Sequence, residues 1–198
     1  MISSSSDLAE RFTTFEREAF RLEILADYNV PSSADNLRAF LAGESKPEGY
    51  NAGWVETVRA AIDNGKRMYR VHIVSRPLTE YLRYELGWGY VTNMTGGEEF
   101  FILDVTDREN PLGGVPDFWM FDETTPVVMR YDGTGAFVGP EFLPVERAAE
   151  FIAYRDAAMA HPHRAWRLGG SQGRVHSFRT GRRYRSHGVA PDPPPRLP

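Results

Sequence analysis

The chain has no cysteine. That removes a disulfide scaffold, a thiolate zinc site, an iron–sulfur cluster and a cysteine nucleophile. Lysine is nearly missing too: Lys46 and Lys66 stand against twenty-one arginines, a ratio that no folding rule demands and that reads as the coding bias of a GC-rich genome. Apolar runs stay well short of the roughly 18 residues needed to span a bilayer, and the mean hydropathy is -0.43. Residues 1–11 lack a basic stretch followed by an apolar one, so the expected location is cytoplasmic. No internal repeat is visible.

What is present is ordinary globular material: 198 residues, 41% apolar and 25% charged. The predicted organisation is one α/β domain over 7–163 and a basic, Gly/Arg/Pro-rich arm over 164–198. The formal charge of -4 hides a split. The arm holds eight arginines and one acid, Asp192, for +7; the preceding residues hold fifteen bases and twenty-six acids, for -11. Few arm residues could pack, so it is expected to be disordered. Its arginines, with Phe178 and Tyr184 between them, suit a weak salt-sensitive contact with nucleic acid.

Periodicity predicts the elements. Leu8, Phe12, Phe15 and Ala19 mark a helix over 7–19, followed by a strand over 20–25. Helices are expected over 33–41, 53–64, about 77–92 and 144–160. Strands are expected over 66–75, 98–104, 117–122, 126–131 and 136–142, the last two joined by Asp132-Gly133-Thr134-Gly135. In the 66–75 strand Tyr69, Val71 and Ile73 share one face, and Met68, Arg70, His72 and Val74 the other. The fold class is α/β or α+β: a mixed sheet of about six strands flanked by helices, with a terminal hairpin and a closing helix.

Familiar chemistry is hard to assemble from these residues. Gly169 to Gly173 spell Gly-x-Ser-x-Gly, but without the strand and helix of a nucleophile elbow. Gly133-Thr134-Gly135 has no helix after it to make a dinucleotide loop. His161 and His163 lack further metal ligands, as do Asp104, Asp107, Asp117 and Asp122. No metal and no cofactor is expected. Asn93-Met94-Thr95 is a glycosylation sequon without a secretory context. Tyr81, Tyr84 and Trp88 form an aromatic stripe, more often core than contact surface.

Several strings belong together: Ala19-Phe20-Arg21-Leu22-Glu23 with Tyr28; Gly65 to Val71; Ser75-x-Pro77-Leu78-x-x-Tyr81-Leu82-Arg83-x-Glu85; Asp117-Phe118-Trp119-x-Phe121-Asp122; and Tyr131-Asp132-x-x-Gly135-x-Phe137-x-Gly139. Together with Tyr154-Arg155 they cover roughly 10–163. In this the chain resembles the actinobacterial family called domain of unknown function 6879, whose members are often encoded beside small helix-turn-helix regulators and have no established common activity. A weaker resemblance of shape is to non-catalytic phospholipase-D-like half domains. Their catalytic relatives need His-x-Lys, and His72-Ile73-Val74 lacks the lysine.

The resemblance implies a non-catalytic regulatory or protein-interaction module, partnered by a DNA-binding helix-turn-helix regulator, with a second copy of the chain as another candidate partner. An acidic body suits such a basic partner. The alternative is a small tailoring or hydrolytic enzyme acting on an anionic substrate. Candidate ligand- or partner-binding residues are Arg21, Glu23, Arg67, Arg70, His72, Tyr81, Arg83, Glu85, Trp119 and Asp122; none is assigned a catalytic role. Side by side on a strand, Arg70 and His72 could hold an anion. The competing reading is a half-buried ion network that specifies structure.

Overall fold

A computed structural model describes residues 4–160 and three two-residue strand segments beyond them, His163–Arg164, Leu168–Gly169 and Arg174–Val175. The expectation of a disordered arm lies otherwise outside the described residues. Six strands form the main sheet: β1 (Glu18–Glu23), β2 (Arg67–Val74), β3 (Glu99–Asp104), β4 (Phe118–Phe121), β5 (Thr125–Tyr131) and β6 (Phe137–Phe142). Their order is β6-β5-β4-β1-β2-β3, and His163–Arg164 (β7) pairs beyond β3. β1, β2 and β3 run parallel, whereas β4, β5 and β6 return antiparallel on the other side of β1. The strand order therefore reverses between β1 and β4.

Period-2 alternation sends opposite sets of side chains to the two faces. Phe20, Leu22, Val71, Leu103, Phe118 and Met120 pack against Ala148, Phe151 and Ala158 of the closing helix α6 (Ala148–Met159). On the other face, Ala19, Met68, Trp119 and Phe121 meet α1 (Ser5–Thr14) and α3 (Ala52–Asp63) through Leu8, Val58 and Ala61. Helix α2 (Ala34–Leu41) is peripheral and buries no residue fully.

Two predicted helices are corrected. The first spans 5–14, not 7–19: Phe15 is already extended and fully buried, and β1 begins at Glu18. The stop has a tertiary cause. Asp122, at a φ of 54° in the β4–β5 turn, accepts the backbone N–H groups of Glu16 (2.9 Å), Arg17 (2.7 Å) and Glu18 (3.1 Å). A carboxylate that distant in sequence leaves no signal in local periodicity. The second expected helix, 77–92, breaks into α4 (Glu80–Tyr84), a π-helical turn (Glu85–Gly89) and α5 (Tyr90–Asn93). Pro77 precedes it, and Thr79 is the cap, its hydroxyl accepting from the Leu82 N–H at 3.1 Å. Such caps satisfy the free N–H groups of a helix start.

The β5–β6 turn is fixed by close approach. Gly135 has a φ of +78°; its N–H donates to the Asp132 carbonyl at 3.0 Å, its own carbonyl accepts the Asn29 N–H at 2.9 Å, and a Cβ there would lie 2.8 Å from the Asp27 carbonyl oxygen. Gly133, two residues away, has open space around it. A Gly135→Ala change therefore adds left-handed backbone strain of about 1–2 kcal/mol plus a clash. Its melting temperature should fall by several degrees while Gly133→Ala stays near wild type, read by circular dichroism; equal melting of the two variants would contradict this account.

Candidate functional site

The parallel register of β1 and β2 places Arg21 beside Arg70 and Glu23 beside His72, and the antiparallel register with β4 places Trp119 beside Arg21. All five side chains share the face covered by α3, α4 and α5. Strand alternation thus gathers two guanidiniums, a carboxylate and an imidazole under helices, at a level where isolated charge is costly.

Each charge meets a partner. Arg70 donates through Nε to Glu98 Oε1 at 2.7 Å and through Nη1 to Glu23 at 3.1 Å. Glu98 is nearly fully buried and also accepts the Trp54 indole N–H at 2.9 Å. The Arg70 guanidinium lies 5.0 Å from the Phe100 ring centroid and 5.6 Å from that of Trp119. Arg21 donates through Nη2 to Asp117 Oδ2 at 2.8 Å and to the Tyr131 hydroxyl at 3.0 Å. Asp117 further accepts the Tyr28 hydroxyl at 2.5 Å and the Ile24 N–H at 3.0 Å. Among the described residues, Arg21 Nη1 is the one buried side-chain nitrogen without a hydrogen bond.

His72 is fully buried; its Nδ1 meets the Tyr90 hydroxyl at 2.5 Å and its Nε2 meets the Leu25 carbonyl at 2.9 Å. Tyr90 also reaches Glu23 Oε2 at 2.8 Å. These three contacts need three hydrogens, whereas a neutral imidazole and a phenol supply two. The Leu25 carbonyl can only accept, so Nε2 carries the ring proton. Nδ1 and Glu23 then compete for the Tyr90 proton.

Electrostatics follow from burial set against neighbours. Burial would raise Glu23, but Arg70 and Arg21 outweigh it and hold the carboxyl at about 2. Burial lowers His72 despite Glu23 nearby, so the ring is neutral at physiological pH. Burial pushes Glu98 and Asp117 up against the pull of their arginines. The arginines stay charged because two carboxylates face Arg70, and Asp117 with Glu23 faces Arg21. Glu85, in the π turn, is raised to about 7 by burial and by Glu23, with Arg70 and Tyr81 opposing. Among the described residues its one hydrogen-bond donor is the Tyr81 hydroxyl at 3.2 Å. Gly89 makes room for it: a Cβ there would lie 2.5 Å from Glu85 Oε2.

The sequence-derived candidates divide. Arg21, Glu23, Arg70, His72 and Trp119 converge, with Tyr81 and Glu85 at their margin. Arg67 lies outside, pairing with Glu99 at 2.6 Å at the start of β2. Arg83 is exposed. Asp122 is the N-terminal anchor of β1. The stripe of Tyr81, Tyr84 and Trp88 is core, packed with Tyr28 under Phe40 and Tyr50. Asn93 of the sequon is buried and accepts the Asn51 amide at 3.1 Å, so it presents no glycan acceptor. Glu98, Trp54 and Tyr90 were not among the expected members. The alternation Glu98, Phe100, Ile102 along β3 and the spacing Leu82, Leu86, Tyr90 along the helix are the signals that place them on the buried face.

Two measurements test this geometry. Arg70→Met leaves Glu23 and Glu98 buried without their shared cation, and breaking such a pair costs about 3–5 kcal/mol; chemical denaturation should show a loss of that size. Glu85 has a folded-state pKa above its ordinary 4.5. Its ionisation therefore disfavours the folded state, and its contribution to stability declines as pH rises from about 4.5 to about 7, by on the order of 3 kcal/mol. Glu85→Gln should flatten the stability profile in that window, and an unchanged slope would refute the assignment.

No curated protein matches the chain. A solved structure that resembles it is that of TrmBL2, an archaeal chromatin protein described as showing a novel mode of DNA binding. The two are 11% identical with a TM-score of 0.42, over 81% of this chain and 51% of that one. The chain therefore spans about half the length of that protein, and so slight a likeness carries no argument about fold or function. Among the described residues, no helix is long and apolar enough to cross a membrane. A family model, in contrast, matches residues 6–167, from α1 past the closing helix and β7. The chain belongs to the family described as domain of unknown function 6879.

Proposed function

We propose that this chain is a non-catalytic protein-interaction module with a regulatory role, whose partner is a basic protein such as a helix-turn-helix DNA-binding regulator. One observation carries the reading: the ionisable side chains that would do chemistry are consumed by one another. Arg70 is clamped by Glu23 and Glu98, Arg21 by Asp117, and His72 by Tyr90 and the Leu25 carbonyl. Arg83, which an anionic-substrate site in this region would need, lies exposed and apart.

The charge of the body supports a basic partner: the residues before Arg164 carry a formal -11. A surface of that sign speeds encounter with a cationic protein and repels the DNA that protein binds. The missing lysine after His72 fits an inactive copy of the phospholipase-D-like half domain. The enzyme reading retains one point in its favour, Glu85, a carboxyl able to gain or lose a proton near neutral pH.

Co-expression with the products of adjacent genes separates the two. A basic neighbour should co-elute at micromolar concentration, and the complex should weaken as ionic strength rises. Arg70→Met, if folded, should still bind. Failure of every neighbour to co-elute removes the interaction reading. Turnover of an anionic substrate abolished by Glu85→Gln would replace it with the enzyme.

A further inference from the structure

The loops leaving β2 and β3 form a groove unrelated to the buried network. It has a volume of about 340 Å³ and is lined by Arg76, Asp104, Thr106, Asp107 and Arg108. That is the low end of small-ligand sites. Its place in the fold is notable for a physical reason. β2 and β3 are parallel neighbours, and Val74 pairs with Asp104 at their carboxyl ends. Loops at the carboxyl ends of parallel strands are where α/β sheets carry ligands, most often where the strand order reverses; this groove lies two strands from the reversal between β1 and β4, so its own side chains must make the site.

The groove is built around one carboxylate. Asp104 Oδ2 accepts from Arg76 Nε at 3.1 Å, and Oδ1 accepts the Thr106 N–H at 3.0 Å and hydroxyl at 2.5 Å. The Asp104 backbone carbonyl accepts from Arg108 Nε at 2.8 Å. Asp104 is thereby engaged at both carboxylate oxygens and at its backbone carbonyl. Both arginines are tethered by Nε to the same residue. Among the described residues, the terminal Nη groups of Arg76 and Arg108 have no hydrogen-bond partner. A guanidinium pinned at Nε presents its Nη pair as a fork already oriented, and such forks match the oxygens of a phosphate. Of the acids lining the groove, Asp107 alone has no partner among the described residues, so the two free forks outnumber it.

We propose that this groove is an oxyanion site, in which the Nη groups of Arg76 and Arg108 hold a phosphate group, free or carried on a small molecule. The site goes beyond the interaction reading and stands whether or not a protein partner is found.

The test uses the full chain and inorganic phosphate, with NMR of labelled arginine side chains as the readout. Residue resolution matters because the arginines from Arg164 onward also attract phosphate. Saturable shifts are expected at Arg76 and Arg108. R76Q and R108Q should each weaken binding at the site by roughly tenfold, as loss of a charge-assisted hydrogen bond implies, while R38Q, on exposed α2, should have no effect. R108Q leaves the Arg76–Asp104 pair intact and so guards against loss of fold. Titration with glycerol phosphate distinguishes the sources: tighter binding than inorganic phosphate identifies a phosphomonoester ligand, and equal binding identifies the free ion. Non-saturating shifts, or unchanged affinity in R76Q/R108Q, would overturn the proposal.

Discussion

The Arg70 guanidinium joins the three parallel strands from beneath. It stands on β2, reaches Glu23 on β1 on one side and Glu98 just before β3 on the other, and rests against the ring of Phe100. Burying one cation between two carboxylates is tolerable only with all three in place, because each alone would be desolvated without compensation. The helices above obey the same constraint. Trp54 of α3 must donate to Glu98, and Tyr90 of α5 must reach Glu23, so the packing of both helices is registered to the sheet by polar contacts as well as by apolar ones. Apolar burial supplies attraction without direction; these contacts supply direction.

This arrangement explains how one buried layer can hold so many ionisable residues. Catalytic groups need at least one valence turned toward a substrate. Within this buried network the polar valences turn inward, and among the described residues its one unpaired buried atom, Arg21 Nη1, is enclosed. The irregular π turn fits the same picture. It widens the helix at Glu85, whose carboxylate occupies the space that a Cβ on Gly89 would need.

Much of this was legible in residue order. The alternation of Met68, Arg70, His72 and Val74 against Tyr69, Val71 and Ile73 reports the two faces of β2 correctly, and the turn residues 132–135 locate the β5–β6 hairpin. The mixed sheet flanked by helices follows from the spacing of such segments. What was not legible depends on residues far apart in the chain. Asp122 ends α1 from more than one hundred positions away, and nothing near Phe15 announces it. Among the site residues, Arg67 and Arg70 look alike in sequence. The register of β2 against β3 decides that the first pairs with Glu99 near the surface and the second with Glu98 in the interior.

Pro140 lies on the strand that ends the sheet. The Met129 N–H is given to the backbone carbonyl of Asp117, just before β4, so the Met129–Pro140 pair lies where β6 makes no bond to β5 and turns its backbone outward. A proline at that position offers no hydrogen to a newcomer. The opposite margin, beyond β3, is occupied by the chain's own β7. An incoming strand thus meets a missing donor at Pro140 on one rim, and on the other finds β7 already paired along Phe101 and Ile102.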